Sequence, residues 1–132
     1  MTIKGFDSRC HFVLNEFFDS DIAHQRGIDL SVDASLNTKY DVVENITILV
    51  SQILEPSRRL LGCPIIVTSG YRNNVVNHLC GGSRNSLHLK GCAADVTCSD
   101  LKRLYNILSN SIATEVIYHP ERNYIHVAYE RK

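Results

Sequence analysis

The sequence predicts a small α+β fold, one antiparallel sheet with helices packed on one face. Two observations carry this. Apolar positions recur at helical spacing in the first half, most clearly from Lys39 to Leu61, whereas short β-branched runs bounded by turn residues lie in the second half. The last two of these runs are separated only by His119-Pro-Glu-Arg-Asn123, a hairpin-like connection that makes their pairing antiparallel.

Taken in order, residues 11–18 are apolar and short, and Asp19-Ser-Asp21 offers a cap for a small helix over 20–26. Asp29 to Asn37 reads as polar and irregular. Val42, Val43, Ile46, Leu49, Val50, Ile53, Leu54, Leu60 and Leu61 then define the long helical stretch. Pro56 should kink that helix or begin a new one, because it lacks an N–H and crowds the preceding turn, and Gly62 should stop it. Pro64 to Thr68 reads as a short buried strand, Asn73 to Leu79 as a helix ended by Gly81-Gly82, residues 83–91 as loop, and Ala93 to Thr97 as a strand. Ser99-Asp100 caps a helix over about 100–110, followed by strands over Thr114 to Tyr118 and Tyr124 to Tyr129.

The chain has 132 residues, enough for one core and one domain spanning 1–132. Its 44% hydrophobic and 21% charged residues fit an ordinary soluble protein. Fourteen basic and fourteen acidic residues give a formal charge of zero, so nothing steers the chain to nucleic acid. No apolar run is long enough to span a membrane. Met1 to Cys10 lacks the apolar stretch of a secretory signal, so synthesis in the cytosol is expected. The five cysteines, at 10, 63, 80, 92 and 98, are odd in number and form no C-x-x-C. Free thiols in a reducing compartment fit this better than a disulfide framework. A monomer is the expected state.

The segment from Ser69 to Asp95 is the most informative. It places His88 and Asp95 seven positions apart in a glycine-punctuated loop, where Gly91 permits tight backbone geometry, and a second histidine follows at His126. Two imidazoles and one carboxylate are the ligand set of a catalytic zinc with one open position. Alternation along a strand puts His126 on one face with Tyr124 and Ala128, and Ile125 and Val127 on the other, toward the core. A lone histidine in a hairpin would read as a satisfied polar residue. The loop carrying His88 and Asp95 favours the ligand reading. Cys92, between them, reads as a small apolar core residue rather than a soft ligand.

These elements, Ser69-Gly-Tyr-Arg72, Gly81-Gly82, Ser86-x-His88, Gly91-x-Ala-x-Asp95 and Ile125-His-Val127, resemble the zinc D-alanyl-D-alanine carboxypeptidase family. That family includes small phage and gut-bacterial peptidoglycan peptidases and has the hedgehog-type fold. The resemblance extends to Phe12-x-Leu14-x-Glu16-Phe17 and to the helix end near Pro56-x-x-Arg59, and so covers nearly the whole chain. It implies His88, Asp95 and His126 as zinc ligands, Arg72 as a catalytic and substrate-positioning arginine, and Ser86 as a substrate-binding hydroxyl lining the site. It implies the peptidoglycan stem peptide as substrate, cut at a D-Ala-D-Ala or L-Ala-D-Glu type of bond, with action on the cell wall after release or export. A guanidinium fork independently suits a peptide's terminal carboxylate or the oxyanion of a tetrahedral intermediate.

The chain departs from the family pattern at two places. The carboxylate that serves as general base usually stands three residues before the last histidine, where this chain has Asn123, which cannot take a proton. Glu121 is the expected substitute, with His119 as the alternative. Tyr124 stands where relatives often carry tryptophan, a change for packing more than for chemistry. Asn123 also motivates a second expectation, a catalytically weak, zinc-stabilised wall-binding or phage structural module.

Overall fold

The computed structural model describes residues 10–130. The reading made on Met1 to Arg9 lies outside the described residues. The fold is α+β, with a four-stranded antiparallel sheet in the order β1-β2-β4-β3, formed by β1 (Ile66–Ser69), β2 (Ala93–Thr97), β3 (Glu115–His119) and β4 (Tyr124–Ala128). Before the sheet come α1 (Asp21–Gln25), α2 (Leu30–Ser35), α3 (Val42–Leu49) and α4 (Glu55–Leu61); α5 (Asn74–Leu79) and α6 (Leu101–Ser109) lie between strands. Among the described residues, no helix is long and apolar enough to cross a membrane.

The alternation of the two central strands divides the sheet. Ala94 and Val96 of β2 and Ile125 and Val127 of β4 are buried and join the helices' Ile46, Leu49, Ile53, Leu104 and Leu108 in one core. Each valine, leucine or isoleucine among them contributes about 1.5–3 kcal/mol by leaving water. The intervening residues, Asp95 and His126, are therefore turned to the opposite face. The register pairs Asp95 with His126 and His126 with Ile117, so that open face carries a row from β2 to β3. A slip of one residue would exchange the two faces, and burial of four aliphatic side chains opposes it.

Two expectations need correction and a third gains detail. Leu30–Ser35 is helical rather than irregular: Asp29 caps it through Ser31 N and Val32 N, and Leu30 and Ala34, four apart, are both buried. Pro56 does mark the start of a new helix, α4, which begins at Glu55. A π-helical stretch, Val50–Leu54, joins α3 to α4, with Glu55 N–H donating to the Val50 carbonyl. Pro56 then falls in the first turn of α4, where its missing N–H costs least. Gly62 ends α4 in the left-handed conformation, as the sequence implied. Finally, β1 is an edge strand whose Ile66 is exposed, so the buried apolar residue of that run is Ile65, just before it.

The N-terminal segment anchors to this frame. Phe12 and Phe17 are buried, and the 3-10 turn Leu14–Phe18 abuts β1. Tyr71 N–H donates to the Phe17 carbonyl at 2.8 Å. A Cβ on Gly70 would come within 2.6 Å of Phe17 Cα and carbonyl oxygen, so only glycine fits there.

Candidate metal centre

Two of the three predicted ligands come from the sheet and the third from a turn. Asp95 and His126 are direct cross-strand neighbours on the open face, where opposed side chains start about 5 Å apart. His88 sits on the 3-10 turn Leu87–Lys90. Ser86 caps that turn by accepting from His88 N–H, and Gly91 closes it at φ 78°, where a Cβ would meet the Val42 carbonyl at 2.8 Å. Candidate ligand atoms of His88, Asp95 and His126 all lie within 4.8 Å of one another.

The hydrogen bonds around the imidazoles fix how each one faces the cluster. His88 Nδ1 lies 2.7 Å from the Gly70 carbonyl, which can only accept, so Nδ1 carries the proton. A neutral His88 then presents the Nε2 lone pair to Asp95 Oδ1 at 3.2 Å. On the other side His126 Nε2 lies 2.7 Å from Glu115 Oε1, which turns the Nδ1 lone pair to the same Asp95 oxygen at 3.3 Å. Two lone pairs and a carboxylate oxygen thus face one point, an arrangement that requires a cation or a proton between them. Ligands of a tetrahedral zinc at about 2.0–2.1 Å stand roughly 3.3 Å apart, so the donors fit that ion in type, and the two separations from Asp95 fit it in spacing. The partners Gly70 and Glu115 are the orienting groups that metal-binding histidines take up.

Asp95 is held ionised. Burial opposes its charge, but hydrogen bonds with His126 and His88 and the Arg72 guanidinium outweigh this and hold its carboxyl well below the usual range. Arg72 donates through Nη2 to Asp95 Oδ2 at 3.2 Å, leaving Oδ1 for the metal. Its Nε reaches Ser69 Oγ at 3.1 Å and its Nη1 reaches Asn77 Oδ1 at 3.4 Å. Three of its five N–H groups are thereby used within the protein, and two remain. For His126, burial disfavours the proton, yet the Asp95 and Glu115 carboxylates raise its affinity for one above normal.

The cluster forms one wall of a cleft of about 550 Å³, an ordinary size for a ligand site. Ser86, Glu115, His119, Arg122 and Tyr124 also line it. Glu121 does not. It is exposed, with Oε1 3.5 Å from His119 Nδ1, and the His119 ring stacks on Tyr124 with centroids 4.4 Å apart. Asn123 is absent from the lining as well: it closes the 3-10 turn Pro120–Arg122 in the left-handed conformation at φ 59°. Cys92 is buried and is not one of the three converging groups. Among the described residues none of the five cysteines is in a disulfide. A second hollow, between α4 and α6, is lined by Ile53, Leu60 and Ile107, and its one cation, Arg103, is bonded to the Leu60 and Leu61 carbonyls.

Glu115 is the residue that sequence reading missed. The signal lay in the hairpin: pairing Ile117 with His126 puts Glu115 and His119, two residues to either side, on the histidine's face.

A family model described as Peptidase M15 matches residues 10–128. The chain belongs to this family, the zinc D-alanyl-D-alanine carboxypeptidases that its motifs resemble. Membership supports a metallopeptidase, and zinc dependence is general among its members. Among curated proteins, no relative matches the chain.

Proposed function

We propose that the protein is a zinc peptidase that hydrolyses a peptide bond in the peptidoglycan stem, as a D-Ala-D-Ala carboxypeptidase or an L-Ala-D-Glu or D,D-endopeptidase. The observation that carries this reading is the convergence of the His88, Asp95 and His126 lone pairs on one point of an open cleft, in the motif order of the M15 family. Zinc held there would lower the pKa of water to about 7 and polarise the scissile carbonyl. Gly70 and Glu115 hold the two imidazoles in the tautomers that ligation needs. Arg72 keeps Asp95 aligned through Oδ2 and retains two N–H groups for the oxyanion that develops on the substrate carbonyl.

The base role is best given to the pair His119 and Glu121. His119 lines the cleft, whereas Glu121, the residue first expected in this role, stands behind it at 3.5 Å. With Nδ1 toward that carboxylate, Nε2 is the basic atom of His119. It takes a proton from the attacking water and returns it to the leaving amine. Glu121 orients the ring and stabilises its charge, as a carboxylate behind a catalytic imidazole does.

Digestion of purified muropeptides by the zinc-loaded protein tests this. His88→Ala should lose both zinc, by elemental analysis, and product release; full hydrolysis by that variant would sink the proposal. His119→Gln should lower kcat by about 10²-fold or more with zinc retained, and Glu121→Gln by less. The exposed position of Glu121 keeps a second reading alive, the wall-binding module of low activity. Zinc-loaded wild type that sediments with cell walls but releases no product would establish that reading instead.

A further inference from the structure

The charged groups lining the cleft are paired, with one exception. Arg72 is bonded to Asp95, His126 to Asp95 and Glu115, and His119 lies beside Glu121. Arg122 lines the same cleft and makes no hydrogen bond or ion pair with any described residue. Its place is set by rigid backbone. It is the last residue of the turn Pro120–Arg122, whose first residue is a proline of fixed φ, and it is followed by the left-handed Asn123, whose N–H returns to the Pro120 carbonyl at 3.2 Å. The next residue, Tyr124, begins the strand that delivers His126, and the Arg122 charge acts at the Tyr124 hydroxyl. The Arg122 side chain is exposed and unpaired on a fixed turn, at a cleft that already contains the reacting groups, so its guanidinium is available to an anion, and its planar fork matches a carboxylate.

We propose that Arg122 is the specificity-determining residue of the cleft and binds a free carboxylate of the peptide substrate. The internal bonds of Arg72 assign that arginine to the scissile carbonyl and leave the distal carboxylate to Arg122. This inference rests on the peptidase reading above. Two carboxylates could supply the anion, that of the C-terminal residue or the α-carboxylate of a D-glutamyl residue within the stem.

The test compares wild type, Arg122→Lys and Arg122→Ala on matched peptides. One pair is diacetyl-L-Lys-D-Ala-D-Ala and its C-terminal carboxamide. The other is an L-Ala-D-Glu peptide with the D-Glu α-carboxylate free or amidated. In the pair whose carboxylate Arg122 reads, wild type should prefer the acid over the amide by roughly ten- to hundredfold, mainly in KM. Arg122→Ala should bring that ratio close to one, and Arg122→Lys should restore part of it. An acid preference in Arg122→Ala equal to that of wild type, in both pairs, would overturn the assignment. The same four peptides, titrated by calorimetry into zinc-loaded His119→Gln, alone and combined with Arg122→Ala, give affinities without turnover. Should wild type hydrolyse none of them, the peptidase reading fails by itself. An acid preference in binding that needs Arg122 would still support the anion site, and equal affinity for acid and amide would refute it.

Discussion

Glu115 shows how much of the site depends on a residue outside the three converging groups. Its carboxylate lies 2.7 Å from His126 Nε2 and so dictates which imidazole nitrogen is free to bind. Glu115→Gln keeps the shape and can still accept a hydrogen bond, but it removes the charge that raises the basicity of the ring. Zinc affinity should fall by about 10- to 100-fold, measured by competition with a chromophoric chelator, while the folded structure is unchanged by circular dichroism. Wild-type affinity in this variant would mean that the Asp95 pairing alone orients His126. The three candidate ligands were legible from residue type and order, because few patterns place two histidines and an aspartate among such glycines. Glu115 was not, because its role exists only through the pairing of β3 with β4.

At the scale of elements, the turn between β3 and β4 explains the missing carboxylate. Asn123 occupies a left-handed position, φ 59°, and asparagine is the non-glycine residue that tolerates it best. Asn123→Gly should fold with near-native stability. Asn123→Val should lose about 1–2 kcal/mol in urea unfolding and slacken the turn that carries Arg122. Equal stability of the two variants would show that the turn relaxes around the change. The same turn marks the limit of sequence reading. Helices α3 and α6 and strands β2 and β4 follow from apolar spacing, since each buries one face of a regular element. Helix α2 was illegible because its six residues have weak propensity, and only the Asp29 cap and the burial of Leu30 and Ala34 make it helical. The π stretch before Pro56 was illegible because a proline states where a ladder bond is missing and leaves open how the neighbouring turn adjusts.

Across the whole molecule, one buried charge ties the N-terminal segment to the helical layer. Glu55, 8% exposed, accepts from His11 N–H, pairs with the His11 ring at 2.7 Å, and takes the Arg59 Nε–H at 3.0 Å. Burial opposes its ionisation, but these hydrogen bonds prevail and hold its pKa down at about 2, against an ordinary 4.5. The folded form therefore binds this proton less readily than the unfolded chain. The stabilisation is complete above about pH 4.5 and is lost as pH falls toward 2. Glu55→Gln should cost about 1.5–3 kcal/mol at pH 7 and should flatten the fall in the urea midpoint between pH 4.5 and pH 2. An unaltered acid limb would show that other carboxylates govern it.

The close contact of Gly70 with Phe17 has a further consequence. Phe17 bears on Gly70, and the Gly70 carbonyl holds the Nδ1 proton of His88, so the N-terminal turn is two contacts away from the cation position. Displacement of residues 10–18, by a fused partner or a surface tether, should loosen the hydrogen bond that orients His88. The strand end at Ala128 is linked as well, for it pairs with Glu115 and lies two residues beyond His126. Neither end of the described chain is therefore a neutral handle for immobilising a protein whose metal affinity is to be measured, and a label on an exposed face of α6 is the better choice.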